Sequence, residues 1–166
     1  MCAACCARWD LRVVCSMAEE LLRRAYEVHG RDFDKAGETA TEIKRLLKEI
    51  GVDAEVVHRV VVVAFEAEMN VVMYATQGTV TLILSEEDIQ LEVADEGPGI
   101  KDLELALTEG YSTATDQMRE MGFGFGMGLP NIKKNSDRFQ IESDVGSGTT
   151  VSSMIRLDSG ASSACS

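Results

Sequence analysis

The sequence predicts an α+β fold: a two-layer sandwich in which a mixed, mostly antiparallel sheet is covered by helices on one face. Three observations predict it. Two helical segments with apolar spacing of three and four stand together in the first half of the chain. Two pairs of short alternating runs follow, each pair joined by a tight loop. A glycine-bounded segment separates the pairs, which gives the order strand, helix, helix, two strands, lid, helix, two strands.

Each element has its own signal. Arg24–Val28 reads as a short first strand ahead of Gly30. Residues 34–50 read as an amphipathic helix, with Ala36, Ala40, Ile43, Leu46, Leu47 and Ile50 on one stripe and Gly51 as the stop. Asp53 caps a second helix running to about Thr76; its Val-rich middle resembles a strand, but its length decides for a helix, apolar on most faces and therefore buried. Val80, Leu82 and Leu84 alternate over 79–85, and Ile89, Leu91 and Val93 alternate after the loop 86–88, so the two runs form a hairpin. Residues 128–135 read as a helix, and 139–143 and 149–157 as two strands joined by the turn 144–148. There are no internal repeats.

The chain has 166 residues, 45% hydrophobic and 27% charged, which suits one domain with a sizeable core. Its formal net charge of −12 argues against nucleic acid or an anionic membrane as the main partner, because both need basic patches. The longest apolar stretch, Val60–Phe65, is core-sized and too short to span a membrane. Cys2, Cys5, Cys6 and Cys15 lie in a segment without periodicity and Cys165 in a Ser/Ala-rich tail, a pattern unlike a disulfide framework. Cys2 and Cys5 have CxxC spacing without a second pair to complete a zinc site. A reduced, cytoplasmic protein is the expectation. The expected organisation is an N-terminal extension over 1–20, with Met17 as an alternative start, a domain over 21–157 and a flexible tail over 158–166.

The chemistry concentrates in "DEGPGIKDLELALTEGYSTATDQMREMGFGFGMGL", residues 95–129. Glycine clusters suit turns, but two familiar phosphate motifs are absent. A dinucleotide fingerprint fails because Met127 and Leu129 stand where its third glycine belongs, and no Gly-Lys pair gives a Walker loop. Gly122, Gly124, Gly126 and Gly128 instead lead directly into a helix, where backbone N–H groups and the helix N-terminus suit a polyphosphate. Asp95 ends a strand, with Gly97 and Gly99 beside it allowing a flat ligand close to the backbone. A carboxylate there can accept from an exocyclic amine such as adenine N6. Glu66 and Asn70 share one face of the long helix, four residues apart. Such a pair suits a solvent-facing or structural role, or else an oxygen ligand for Mg²⁺ at Asn70 with a general base at Glu66.

Taken together, these motifs resemble the Bergerat-type ATPase superfamily shared by gyrase, histidine kinases, mismatch-repair ATPases and anti-sigma-factor serine kinases. They stand in that superfamily's order over about residues 34–157: Glu66-x-x-x-Asn70, Asp95-x-Gly97-x-Gly99, a lid from about Ile100 to Met121, Gly122–Gly128, and Gly146-Ser147-Gly148-Thr149. The stretches "EGYSTATDQMREMGFGFGMGLPNIKK" and "SDVGSGTTV" resemble most the small bacterial anti-sigma and switch kinases. The resemblance implies that Asp95 contacts adenine with support from Thr149, that Asn70 holds Mg²⁺, and that Glu66 is the base. It implies an ATP-dependent serine/threonine kinase acting on an anti-sigma-factor antagonist, with a sigma factor and a second copy of the chain as further partners. The alternative is an ATP-binding switch that transfers no phosphate. Tyr74 departs from the polar or His residue common one turn after Asn70, and no Lys or Arg stands out as a phosphate clamp; Lys133 and Lys134 read as solvated helix charges. His29 and His58 read as ordinary surface residues, against a histidine kinase.

Overall fold

The first strand is twice the expected length. In the computed structural model, which describes residues 19–157, β1 spans Glu20–His29 and pairs along its length with β2, Gln77–Ser85. Two charged residues, Arg23 and Arg24, and the mixed run around them hide the strand's start from a reading based on alternation. The expectations for the N-terminal cysteines and for the tail lie outside the described residues.

The remaining strands are β3 (Asp88–Asp95), β4 (Arg138–Asp144) and β5 (Gly148–Arg156). The sheet order is β1-β2-β3-β5-β4, and every pairing among the described residues is antiparallel, where the sequence had left room for a mixed sheet. Alternation assigns the faces. Val80 and Leu82 of β2, Ile89, Leu91 and Val93 of β3, and Val151 and Ile155 of β5 are buried in one core. The intervening Thr81, Gln90, Glu92, Thr150 and Ser152 make the other face mostly polar, with Ile83 and Met154 as half-buried apolar exceptions on either side of Gln90.

Helix α2, Ala54–Tyr74, lies across the apolar face and contributes Val56, Val60, Val63, Ala67 and Val71 to the core. Its cap is the expected one: the Asp53 side chain accepts from the Glu55 N–H at 2.8 Å. The helix stops two residues earlier than expected because Ala75 turns extended and Thr76 donates to Glu96, already in the sheet's hydrogen-bonding frame. Helix α1, Glu38–Glu49, packs on α2, as does the C-terminal helix of residues 128–135. His29 and His58 are both exposed.

Helix α1 begins four residues later than its stripe suggests. Gly37, at φ 92°, occupies the cap position and brings no side chain to the first-turn N–H groups. The cap comes from α2: Glu68 accepts from Gly37 N and Thr39 N through Oε1, at 3.0 and 3.2 Å, and from Ala40 N through Oε2 at 3.1 Å. Only 2% of Glu68 is exposed. A carboxylate at a helix N-terminus answers both the orphaned donors and the positive end of the dipole. Glu68→Leu strands two buried donors and one half-buried donor and is expected to cost about 3 kcal/mol in urea unfolding, with Glu68→Gln costing less. A loss within 0.5 kcal/mol, the ordinary range for surface substitutions, would refute this role.

Candidate functional site

Asp95 closes β3 at the point where the chain leaves the sheet. Its Oδ1 accepts the Thr149 N–H at 3.2 Å, from the first turn of pairing in β5. Burial pushes the Asp95 carboxyl above its ordinary value, and the backbone N–H groups of Thr149 and Gly97 oppose that rise without cancelling it. A Cβ on Gly97 would stand 2.8 Å from Oδ1, so a side chain there would crowd the carboxylate. Thr149 is also fixed through its hydroxyl, 2.8 Å from that of Ser143. Ser143 Oγ accepts the Ile100 N–H at 2.8 Å and donates to the Gly148 carbonyl at 3.1 Å. The first and last glycine motifs are thereby tied to one carboxylate and one serine.

Glu66 and Asn70 project from α2 toward the start of α5, Gly128–Asn135. A Cβ on Gly128 would lie 3.2 Å from Asn70 Oδ1 and 3.6 Å from Glu66 Oε2, so this glycine lets the helix start approach both side chains. Among the described residues the Asn70 amide has no hydrogen-bond partner, which leaves its oxygen available to a ligand. Glu66 is different: its Oε1 accepts the Asn131 Nδ2–H at 2.7 Å.

Between the glycine motifs the chain forms two short helices, where the sequence suggested only a flexible lid. Helix α3, Leu103–Ala106, is capped by Asp102 and α4, Asp116–Glu120, by Thr115, and neither buries a residue. The lid's limbs meet where Gly110 N donates to the Gly126 carbonyl at 3.0 Å. Gly126 has φ 74°, and a Cβ there would come 2.5 Å from the Gly110 carbonyl carbon, so only glycine closes this contact. Phe123 stacks on Phe33 with ring centroids 6.2 Å apart, which ties the end of this segment to the loop before α1.

These parts wall one cleft of about 850 Å³, within the size range of ligand pockets, roughly 300–1,000 Å³. Of the residues expected at the site, Glu66, Asn70, Asp95, Gly99, Gly122, Gly124, Gly126, Gly128 and Thr149 all line it; Gly97 lies behind, against Asp95. Tyr74 lines it too, and Lys101 is the single basic residue in the lining among the described residues. Lys133 and Lys134 are exposed outside it. Backbone N–H groups are therefore the main positive surface offered to an anion. Sequence reasoning missed Asn131 as a partner of Glu66, and no local signal marked it: the two residues are 65 positions apart.

No group of three or more His, Cys, Asp or Glu residues able to hold a metal exists among the described residues. A divalent cation at Asn70 would thus complete its shell from phosphate and water oxygens, which fits the free amide oxygen there. No helix among the described residues is long and apolar enough to cross a membrane.

Comparison with known proteins agrees with this geometry. Residues 52–159 match the family described as histidine kinase-, DNA gyrase B-, and HSP90-like ATPase. The chain is 27% identical over 112 residues to the serine/threonine-protein kinase RsbT of Bacillus subtilis, covering 65% of this chain and 78% of the relative. It is 26% identical over 136 residues to the anti-sigma F factor of Caldanaerobacter subterraneus subsp. tengcongensis, covering 82% and 83%. Among solved structures, the SiaB-SiaC complex from Pseudomonas aeruginosa has a chain matching with a TM-score of 0.57 at 12% identity, over 84% of this chain and 91% of that one. The RsbU and RsbW domains of Rv1364c from Mycobacterium tuberculosis match with a TM-score of 0.53 at 19% identity, over 81% of this chain and 32% of that longer one. With the family match covering most of the chain and its motifs lining one cleft, the chain belongs to the histidine kinase-, DNA gyrase B-, and HSP90-like ATPase family.

Proposed function

We propose that this chain is an ATP-dependent protein serine/threonine kinase and anti-sigma-type regulator whose acceptor is a small antagonist protein. The reading is supported by two relatives, one named a serine/threonine-protein kinase and the other an anti-sigma F factor. The observation that carries it is the convergence of the Glu66 carboxylate and the unpartnered Asn70 amide on the glycine-led start of α5.

In this reading Asp95 accepts from adenine N6, held in place by the Thr149 N–H. The N–H groups of residues 122–128 and the N-terminus of α5 receive the phosphates. Asn70 would hold Mg²⁺, whose charge would offset that of the phosphates. The acceptor hydroxyl oxygen attacks the γ-phosphorus as its proton passes to Glu66, and the bond to the bridging oxygen breaks to release ADP. Catalysis is then mainly positioning and charge stabilisation. A sigma factor and a second copy of the chain are the further partners in this proposal.

Proteins that co-purify with the full chain from its native cells, incubated with γ-labelled ATP and Mg²⁺, test it. A small protein labelled on serine or threonine is the expected result. ATP that changes the affinity for such a partner, with no label transferred, would replace the kinase with a nucleotide-driven switch.

A further inference from the structure

One oxygen of Glu66 is held and the other is not. Oε1 takes the Asn131 amide at 2.7 Å, whereas Oε2 has Gly128 as its neighbour, at 3.6 Å from where a Cβ would stand. We propose that Asn131 is the positioning residue for Glu66: it pins Oε1 so that Oε2 alone faces the phosphate end of the cleft and takes the acceptor's proton. This rests on the kinase reading above.

Three observations support the assignment. First, Asn131 stands on a fixed frame: its N–H donates to the Met127 carbonyl at 2.8 Å, its carbonyl accepts from Asn135 Nδ2 at 2.9 Å, and the next residue, Ile132, is fully buried. Second, the last torsion of a glutamate is broad, so a carboxylate without an anchor samples many orientations. A donor on one oxygen selects one of them. Third, the amide nitrogen only donates, so it cannot take the proton that Glu66 receives. Acceptance is left to Oε2, on the side of Gly128 and Asn70. Because Asn131 sits in the first turn of α5, the base is oriented by the same helix start that receives the phosphates.

The test uses the full chain, Mg–ATP, and water as the acceptor, so that no partner need be known. Asn131→Ala is expected to lower kcat roughly 10- to 100-fold while KM and the calorimetric affinity for ATP stay within about twofold. Asn131→Asp keeps the shape but sets a second carboxylate against Oε1, and is expected to lose at least as much turnover. In the Glu66→Gln background Asn131→Ala should have no further effect, since a residue acting through Glu66 has nothing left to orient. A readout independent of turnover is the side-chain amide signal of Asn131 in ¹H–¹⁵N spectra, which should shift on Glu66→Gln. Wild-type kcat in Asn131→Ala, an equal loss in both backgrounds, or a fall in ATP affinity matching the fall in kcat would each overturn the positioning role. A wild-type chain that neither hydrolyses Mg–ATP nor labels a co-purified protein, or a Glu66→Gln variant as fast as wild type, would overturn the kinase reading and this inference with it; where only the protein is labelled, the same variants are compared by that transfer.

Discussion

Glu66→Gln is expected to bind ATP as the wild type does and to transfer phosphate roughly 10²–10⁴-fold more slowly. The substitution keeps the side chain's length and one carbonyl oxygen, and that oxygen can still accept the Asn131 amide seen at 2.7 Å. What changes is the group left facing the cleft. An amide nitrogen takes the place of Oε2 beside Gly128, and it cannot accept the acceptor's proton. Asn70→Ala should separate from it cleanly. If Asn70 holds Mg²⁺ as proposed, removing that oxygen removes a ligand, so nucleotide affinity in Mg²⁺ should fall along with turnover, while affinity in a chelator should not. Calorimetry with and without Mg²⁺, beside the labelled transfer assay, measures both. Phosphorylation that continues unchanged in Glu66→Gln would remove Glu66 from the base's role.

The two variants probe neighbours on one helix face, and that face was legible from spacing alone. So were the cleft's other walls, because glycines leading into a helix and a carboxylate at a strand's end each follow from local backbone requirements. The strand pairs, too, were readable from alternation, down to the turn before Gly148. What the sequence did not reveal depends on contacts between distant segments. Glu68 is one polar residue in a Val-rich helix, and its purpose appears only when the N-terminus of α1 is packed against it. Without that contact the stripe of α1 extends back to residue 34, past the true start at Glu38. Asn131 is a second case: its sequence neighbours carry the phosphate signal, and its own partner lies on α2. The lid's two short helices form a third. Each depends on a single side-chain cap rather than on an apolar stripe, so periodicity does not register them.

Asp95→Asn is expected to cost about 2 kcal/mol or more of ATP affinity, with a smaller discrimination against GTP. The Thr149 N–H already points at Oδ1, so the oxygen of an introduced amide is drawn there and its NH₂ is left toward the ligand. Two donors, that NH₂ and adenine N6, then face each other. Ionisation provides a second, independent signature. Burial raises the Asp95 carboxyl above its ordinary range in the free protein, and an acceptor for N6 is best served by the ionised form. Adenosine, which has no phosphates to titrate, should therefore bind with constant affinity above that raised value and more weakly as pH falls through it. Asp95→Asn should remove this dependence. Stability runs in the opposite sense: the folded state holds this proton more tightly than the unfolded chain does. Its contribution is present at pH below the unfolded value and is lost as pH rises through the folded one. At neutral pH the ionised carboxylate is thus a destabilising group in the absence of ligand, and Asp95→Asn is expected to melt higher than wild type while binding nucleotide worse. Equal ATP affinity in the two proteins would remove Asp95 from the adenine contact. A lower melting temperature in the variant would mean that the hydrogen bonds to Thr149 and Gly97 outweigh the burial of the charge.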